Sequence, residues 1–310
     1  QAPAHAARAS TSGASSGAAA DLAEAKALCE AGRYDDAFRL FRRAAAAGSA
    51  EALGFAGNAY LSGEGTHPEP ELGIEMLRDA AGKGDARSMI TLATAYQSGF
   101  GVKERSGRWA MHWLRKAATE AGDAEAMRRL GVIHRDAGSD SALYWLARAV
   151  DAGSADARVD LGSLYRHGTL VPRDTAEAVR QYRAAAGAGS ARGLFAMGEA
   201  HEGGFGVPPD PAEAHRWYLK AACAGSADAM NALGVQYLSG RGVPADRGEA
   251  ERWFRRAWAA GSESAAGNLR ELEAPERPRR WRGPVAAVLA WLKVPETEPP
   301  VACPVPAPAG

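Results

Sequence analysis

A segment of about 36 residues recurs along the chain, and this periodicity constrains the fold more than any other feature of the sequence. Glycines that close an Ala-rich segment follow one another at intervals of 36, 38, 31, 36, 36 and 36 residues. These glycines are Gly48, Gly84, Gly122, Gly153, Gly189, Gly225 and Gly261. A fixed period of this length is typical of repeat proteins, in which each unit buries its apolar face against its neighbours. The spacing therefore predicts about seven stacked units.

Each unit ends with the same pattern of small and bulky side chains. In the last unit, Ala250, Trp253, Phe254 and Ala257 precede Gly261, at spacings of three and four residues around the aromatic pair. Such spacings place side chains on one face of an α-helix. The pattern recurs at Ala214, Trp217, Tyr218 and Ala221, at Ala142, Trp145, Leu146 and Ala149, and at Ala37, Leu40, Phe41 and Ala44. We expect this helix, helix B, in every unit.

An earlier helix in each unit, helix A, carries a Leu-Gly pair followed by a tyrosine, as in Leu233, Gly234 and Tyr237. A glycine inside a helix costs about 1 kcal/mol relative to alanine, so its recurrence predicts a crossing of helices A and B too close for a β-carbon. Between the helices, Gly-Val-Pro segments indicate turns. Aspartates that precede a glutamate by three residues predict a capping box at the start of helix B. These pairs are Asp174 and Glu177, Asp210 and Glu213, and Asp246 and Glu249.

The combined pattern, Ala-x3-Leu-Gly-x2-Tyr-x2-Gly, then Gly-Val-Pro, then Ala-x2-Trp-Tyr/Phe-x2-Ala-x3-Gly, resembles Sel-1-like repeats of the tetratricopeptide-like superfamily over residues 21–262. The first unit is more similar to an ordinary tetratricopeptide hairpin, and the unit ending at Gly153 lacks the long turn. The resemblance implies an all-α fold, an α-solenoid forming a right-handed superhelix of about seven helix-turn-helix repeats. Residues 263–273 are expected to form one more helix that caps the array.

Composition divides the chain into three segments. Residues 1–20 are rich in Ala, Ser and Gly and are expected to be a flexible lead-in; residues 21–273 carry the repeats. Residues 274–310 form a basic, apolar and Pro-rich tail. Within the tail, the segment 281–294 is too short to span a bilayer, which leaves two readings: it packs on the repeats, or it contacts a membrane surface or a partner.

Charge and motifs point away from several function classes. Lys plus Arg equals Asp plus Glu, at 37 each, so net charge does not favour nucleic acid as a partner. The seven histidines and three cysteines show no metal-ligand spacing, and we expect neither metal nor cofactor. Cys29, Cys223 and Cys303 are too scattered for a disulfide framework, so we expect three unpaired thiols, buried or free. The string from Gly13 to Gly17 matches G-x-S-x-G, which is catalytic only on a strand-to-helix turn with partners nearby. We expect no catalytic residue and no enzyme activity; a hydrolase of cell-wall or β-lactam substrates is the alternative.

The resemblance also implies a groove lined by helix A that holds a protein or an extended peptide. Arginines there suit a partner carboxylate, and Phe195 or Val132 would supply an apolar anchor. The groove positions that the resemblance gives are Arg87, Ile90, Thr94, Gln97, Arg128, Val132, Arg135, Asp156, Val159, Ser163, Arg166, Arg192, Phe195, Glu199, Glu202, Asp228, Asn231 and Val235. The competing interpretation is that these charges are simply a solvated face.

These observations predict a non-catalytic scaffold or adaptor, with a regulatory or assembly role in a bacterial envelope or signalling system. A structural part in a polysaccharide or secretion assembly is a further alternative. The start at Gln1, followed by Ala-Pro-Ala, is either a mature terminus left after signal-peptide removal or simply the edge of the sequence. On the first reading a periplasmic or envelope location is expected. The cytoplasm is the alternative location.

Overall fold

The structure, a computed structural model, describes residues 6–273. Within this range the chain forms fifteen α-helices and no strand, so the predicted all-α repeat class is confirmed. The helices are α1 (Ala6–Glu30), α2 (Tyr34–Ala46), α3 (Ala50–Ser62), α4 (Pro70–Gly82), α5 (Ala86–Ser98), α6 (Gly107–Glu120), α7 (Ala124–Asp136), α8 (Ser141–Asp151), α9 (Ala155–His167), α10 (Thr175–Gly187), α11 (Ala191–Gly203), α12 (Pro211–Cys223), α13 (Ala227–Ser239), α14 (Arg247–Ala259) and α15 (Glu263–Glu273).

The chain divides into two compact units, residues 1–154 and 155–310, at a boundary between two repeats. Unit 1 contains α1 to α8 and unit 2 contains α9 to α15. Odd-numbered helices are the A helices and even-numbered helices are the B helices. Within each unit every helix packs on the next one in chain order, so the hairpins are stacked side by side. The sequence treats residues 21–273 as one array, whereas the structure divides that array into these two units.

The core of the hairpins consists of alanines together with bulky side chains of helix B and leucines of helix A. Phe254 is fully buried beside Ala250 and Ala257. Opposite its ring, a β-carbon on Gly234 would lie 2.5 Å from the Phe254 Cε1 atom. Gly162 faces the ring of Tyr182 at the same separation. The predicted close crossing of helices A and B at the Leu-Gly pair is confirmed.

The aspartates cap helix B as predicted, but the second half of the capping box does not form. The Asp174 side chain accepts a hydrogen bond from the Glu177 backbone N–H at 2.9 Å. The backbone N–H of Asp174, however, donates to the Tyr165 carbonyl at the end of helix A. Because that donor is already used, the Glu177 carboxylate bonds Arg180 instead. The same arrangement recurs at Asp210 and Asp246.

The first and last helices of the described range cover segments for which the sequence made separate predictions, the lead-in and the terminal helix. The expected flexible lead-in lies largely within α1, which begins at Ala6 and buries Ala18 against Ala44 and Ala52. Alanine favours helix, and the packing of Ala18 joins this part of α1 to the first hairpin. At the other end, α15 occupies the residues in which the terminal helix is expected. The tail, with its segment 281–294, lies outside the described residues.

Candidate functional site

On unit 1, the candidate residues lie along the A helices α5 and α7. The exposed Arg87 guanidinium stacks over the Phe55 ring of α3, 4.8 Å from its centroid. A guanidinium held through its flat face keeps its in-plane N–H donors directed outward. Among the described residues, Arg87 has no ion-pair partner. Arg87 can therefore donate two parallel hydrogen bonds to a carboxylate.

Further along these helices, three predicted residues meet at one depression. Gln97 of α5 lies with Arg128 and Val132 of α7 around an open hollow of about 240 Å³. Arg129 and Ile133, which the sequence did not single out, complete its lining. Half-buried Ile90 lies on α5 one turn before Thr94, whose hydroxyl donates to the Ile90 carbonyl. The hollow is shallow and amphipathic, so it suits an extended segment better than a small molecule.

Ion pairs hold the arginines of α7 in place. Arg128 and Arg129 both donate to the Glu125 carboxylate at 2.8 Å. Burial alone would raise the pKa of Glu125, but these two hydrogen-bonded arginines outweigh it and lower the pKa below its usual range. Arg129 also donates to the Thr94 hydroxyl of α5 at 3.0 Å, which ties neighbouring A helices together. Arg135 pairs with the adjacent Asp136 at 2.8 Å.

On unit 2, the predicted Arg192 of α11 is paired with two aspartates of α9. It donates to Asp160 at 2.7 Å and lies 3.8 Å from Asp156. Asp160 is only 2% exposed, so this ion pair compensates a buried charge. Ser190, which caps α11, donates to the other carboxylate, that of Asp156, at 2.7 Å. Arg192 therefore links successive repeats as well as facing outward.

A second polar cluster of unit 2 lies toward the ends of α9 and α11. Arg166 pairs with Glu199 at 3.1 Å and stacks over the Phe205 ring at 4.0 Å. Glu202 accepts a hydrogen bond of 2.7 Å from the Tyr218 hydroxyl. Burial raises the pKa of Tyr218, and the acceptor Glu202 raises it further, so this hydroxyl remains a donor. Ser163 lies 3.4 Å from the Tyr182 hydroxyl.

Several predicted groove residues of unit 2 pack against other side chains instead of projecting into solvent. Val159 is buried in the core beside Tyr182, so its expected inward-facing groove position is wrong. Phe195 is half-buried and packs on Tyr218, with ring centroids 5.4 Å apart. Asn231 accepts a hydrogen bond from Asn268 of α15 at 2.8 Å. The exposed candidates on α13 are Asp228 and Val235.

The matches to known proteins fit this geometry. The family model described as Sel1 repeat matches residues 33–49, 50–85, 86–121, 124–154, 155–190, 191–226 and 227–262. The chain belongs to the Sel1 repeat family. Six of the seven matched segments correspond to whole repeats read from the closing glycines, including the shorter unit that ends at Gly153, and the segment 33–49 covers helix B of the first unit. Sel1 repeat proteins are generally protein-interaction scaffolds.

Solved structures of Sel1 repeat proteins are similar to the chain. A Sel1 repeat protein from Oxalobacter formigenes is 31% identical, with a TM-score of 0.67 over 77% of this chain and 99% of that chain. A protective antigen of uropathogenic Escherichia coli strains, displaying an SLR fold, is 24% identical, with a TM-score of 0.54 over 82% of this chain and 56% of that chain. At that identity the likeness concerns the fold alone.

Two curated relatives match shorter stretches. A chitin synthase regulator of Saccharomyces cerevisiae is 28% identical over 127 residues, which is 39% of this chain and 18% of that protein. An uncharacterized protein of Neisseria meningitidis serogroup B is 28% identical over 158 residues, which is 49% of this chain and 32% of that protein. The chain thus spans about a third or less of the length of these relatives.

Sequence reasoning missed partners that a Sel1 repeat array brings together from one repeat to the next. Arg129, Asp160 and Asn268 all contact an A helix of a neighbouring repeat. A signal was present for Asp160, because alanine occupies its position in the next two repeats, at Ala196 and Ala232. A charged residue at a position that is otherwise alanine indicates a specific partner.

Other kinds of site have little support in the described range. Residues 6–273 contain no cluster of three or more His, Cys, Asp or Glu side chains placed to hold a metal ion. No helix of that range is long and apolar enough to cross a membrane. The string from Gly13 to Gly17 lies inside α1, not on a strand-to-helix turn. The contact surface of the A helices remains the strongest candidate site.

Proposed function

We propose that the protein is a non-catalytic interaction scaffold, and that helices α5 and α7 of unit 1 bind an acidic segment of a partner protein. The family supports the general role. The location is supported by the charge of these two helices. They carry four arginines against two acidic residues, a net charge of +2. The members are Arg87, Arg128, Arg129 and Arg135, and Glu125 and Asp136.

The observation that carries the location is the geometry of Arg87. Its ring-stacked guanidinium is exposed and already oriented, so binding a carboxylate costs little side-chain entropy. The hollow beside Val132 lies on the same pair of helices and offers an apolar contact. The A helices of unit 2 differ, because α9, α11 and α13 carry three arginines against five acidic residues, a net charge of −2. An acidic partner would therefore favour unit 1.

Affinity capture with matched variants tests this proposal. The tagged wild-type chain, the Arg87→Gln/Arg135→Gln double variant and an Arg115→Gln control are cross-linked in cells of the source organism and captured proteins are quantified by mass spectrometry. Arg115 is an exposed arginine on helix B of the same unit, α6. We expect a protein that the wild type and the control retain equally and that the double variant loses.

The possible outcomes distinguish the scaffold role from the assignment of the binding site to α5 and α7. Circular dichroism first establishes that all three proteins are equally folded. Equal capture by all three would overturn the assignment to α5 and α7, whereas the absence of any enriched protein would overturn the scaffold role. A hydrolase screen on cell-wall and β-lactam substrates tests the enzymatic alternative, and turnover that one point substitution abolishes would favour it.

We also propose that the protein acts in the cell envelope, in a regulatory or assembly role. Cys223 is disulfide-bonded, whereas Cys29 is a free thiol. The sequence expectation of three unpaired thiols is thus wrong for Cys223. Disulfides persist in oxidising compartments such as the bacterial periplasm, which supports an envelope location. A role beside polysaccharide-synthesising machinery is also open, since one curated relative is a chitin synthase regulator.

Thiol labelling of the protein isolated under acid quench tests the location. Maleimide labelling followed by peptide mapping should tag Cys29 before reduction and Cys223 only after it, because among the described residues Cys29 is a free thiol and Cys223 is disulfide-bonded. Labelling of Cys223 before reduction, in protein taken directly from its own cells, would contradict an oxidising compartment. Fractionation of the same cells gives an independent reading.

A further inference from the structure

An open pocket of about 480 Å³ lies in unit 1 on the side of the B helices. Its walls come from α4, from the turn between α5 and α6, and from the first turn of α6. The turn packs closely on α4, since a β-carbon on Gly101 would lie 3.0 Å from Ile74 and 3.1 Å from the Pro70 carbonyl. The pocket is therefore built by two successive repeats and is separate from the surface of α5 and α7 described above.

One wall of this pocket is an aromatic pair, in which the tryptophan is exposed and the tyrosine is half-buried. Trp109 of α6 is 50% exposed, an unusual position for a tryptophan. Its ring stacks on Tyr96 of α5, with centroids 6.1 Å apart and planes 26° apart. Arg78 of α4, which also lines the pocket, donates to the Tyr96 hydroxyl at 3.0 Å. The Trp109 ring also meets His112 of the same helix edge-to-face, with centroids 5.4 Å apart, and half of its surface remains exposed to a ligand.

The remaining walls carry carboxylates. Glu71 and Glu75 stand one turn apart on α4, and Glu104 lies on the turn. Among the described residues, none of the three has an ion-pair partner. The two cations that also line the pocket are Lys103 and Arg78, so the lining keeps a net charge of −1. Like charges four residues apart on a helix repel each other, and a cation bound between them would relieve that repulsion.

These residues depart from the pattern of the other repeats. At the third position of helix B, where Trp109 stands in α6, the later repeats have Glu177, Glu213 and Glu249. At the sixth position, where Glu75 stands in α4, they have Arg180, Arg216 and Arg252. In those repeats the glutamate and arginine pair with each other along the helix. In α4 and α6 the substitutions remove that pair, which α2 keeps as Asp36 and Arg39, and they leave an aromatic face and unpaired carboxylates.

We propose that this pocket binds a lysine or arginine side chain of a partner protein. The cation would lie over the exposed face of Trp109, where the electron-rich ring attracts positive charge. Glu71, Glu75 and Glu104 would accept its hydrogen bonds and supply the complementary charge. With the basic surface of α5 and α7, one scaffold then offers separate contacts for an acidic and a basic segment, and their affinities reinforce each other when both belong to one partner.

Nuclear magnetic resonance of the full chain tests the pocket directly. The indole N–H signal of Trp109 is identified by its loss in Trp109→Leu and followed during titration with acetyl-Gly-Lys-Gly-amide. The matched probe is the same peptide with acetyllysine, which keeps the chain length but lacks the charge. We expect the Trp109 signal to shift and saturate with the lysine peptide and to stay in place with the acetylated one.

Two double variants that each remove two carboxylates distinguish binding at this pocket from nonspecific electrostatic attraction. Glu71→Gln/Glu75→Gln should weaken binding of the lysine peptide about two- to fivefold, the loss expected for exposed charge pairs. Glu263→Gln/Glu271→Gln removes the same charge from exposed positions of α15 and should leave the affinity unchanged. The proposal is overturned if the Trp109 signal does not move, if it moves equally with acetyllysine, or if both double variants weaken binding equally.

Discussion

Replacing Gly234 with alanine would test whether the repeats depend on the close crossing of helices A and B. The substitution adds one β-carbon to α13. That carbon would lie 2.5 to 2.9 Å from three atoms of the Phe254 ring. Ordinary carbon contacts are about 3.5 to 4.0 Å, so the ring has to move by about 1 Å. Phe254 is fully buried in a cluster with Leu269 and Leu272, which leaves it little room to move.

A matched substitution isolates this steric effect. Gly267 lies inside α15, and its added β-carbon would meet nothing within 4 Å. Both alanine variants gain about 1 kcal/mol of helix propensity, but only Gly234→Ala overpacks the core, at about 1 to 3 kcal/mol. The two free energies of unfolding should therefore differ by about 1 to 3 kcal/mol. Gly267→Ala is the more stable variant.

Urea denaturation followed by circular dichroism gives the difference, and hydrogen exchange shows where it lies. Because repeats are stabilised by their neighbours, we expect faster exchange in α13 and α14 first. In a Phe254→Ala background the clash is absent, and Gly234→Ala should then stabilise as Gly267→Ala does. Equal effects of the two glycine substitutions in the wild-type background would refute the role of the crossing.

Two further predictions concern polar contacts of unit 2. Arg192→Ala should lower the free energy of unfolding, measured by urea denaturation, by about 1 to 3 kcal/mol, because it removes the partner of the buried Asp160 carboxylate. The expected loss is moderate because Arg192 is half exposed, and an unchanged free energy of unfolding would contradict the prediction. Buried His215 lies 3.0 Å from Gln236, and burial lowers its pKa below 6.5. The unfolded chain therefore takes up this proton first, and stability should fall as pH drops below about 6.5. His215→Val/Gln236→Ala introduces the residues of the equivalent pair one repeat earlier, Val179 and Ala200. The stability of this variant should fall less with falling pH in thermal denaturation, and an unchanged slope would argue against this assignment.

The sequence alone was sufficient to predict the structural features that lie within one repeat. The closing glycines, the Asp174 cap and the crossing at Gly234 each follow from spacing and backbone chemistry inside about 36 residues. The capping box illustrates the limit. Its aspartate N–H is taken by the carbonyl of Tyr165, across the long turn, and nothing in the Asp-x-x-Glu spacing reveals that competitor.

The candidate surface is formed by contacts between side chains of successive repeats, and the sequence alone did not predict which side chains meet. Arg192 and Asp160 are 32 residues apart, and they meet only because of the offset between successive A helices. Val159 illustrates the opposite error, since a position assigned by family register lies in the core. For the pocket at Trp109 a signal did exist, because a tryptophan stands where the later repeats have glutamate.

Hydrogen–deuterium exchange of the complex with a captured partner tests the central claim most directly. The account predicts slower exchange in α5 and α7 of unit 1 on binding, with the largest change near Arg87 and Val132. The B helix α8 should exchange at the same rate in both states. Protection confined to the B helices, with α5 and α7 unchanged, would contradict the claim that the A helices hold the partner.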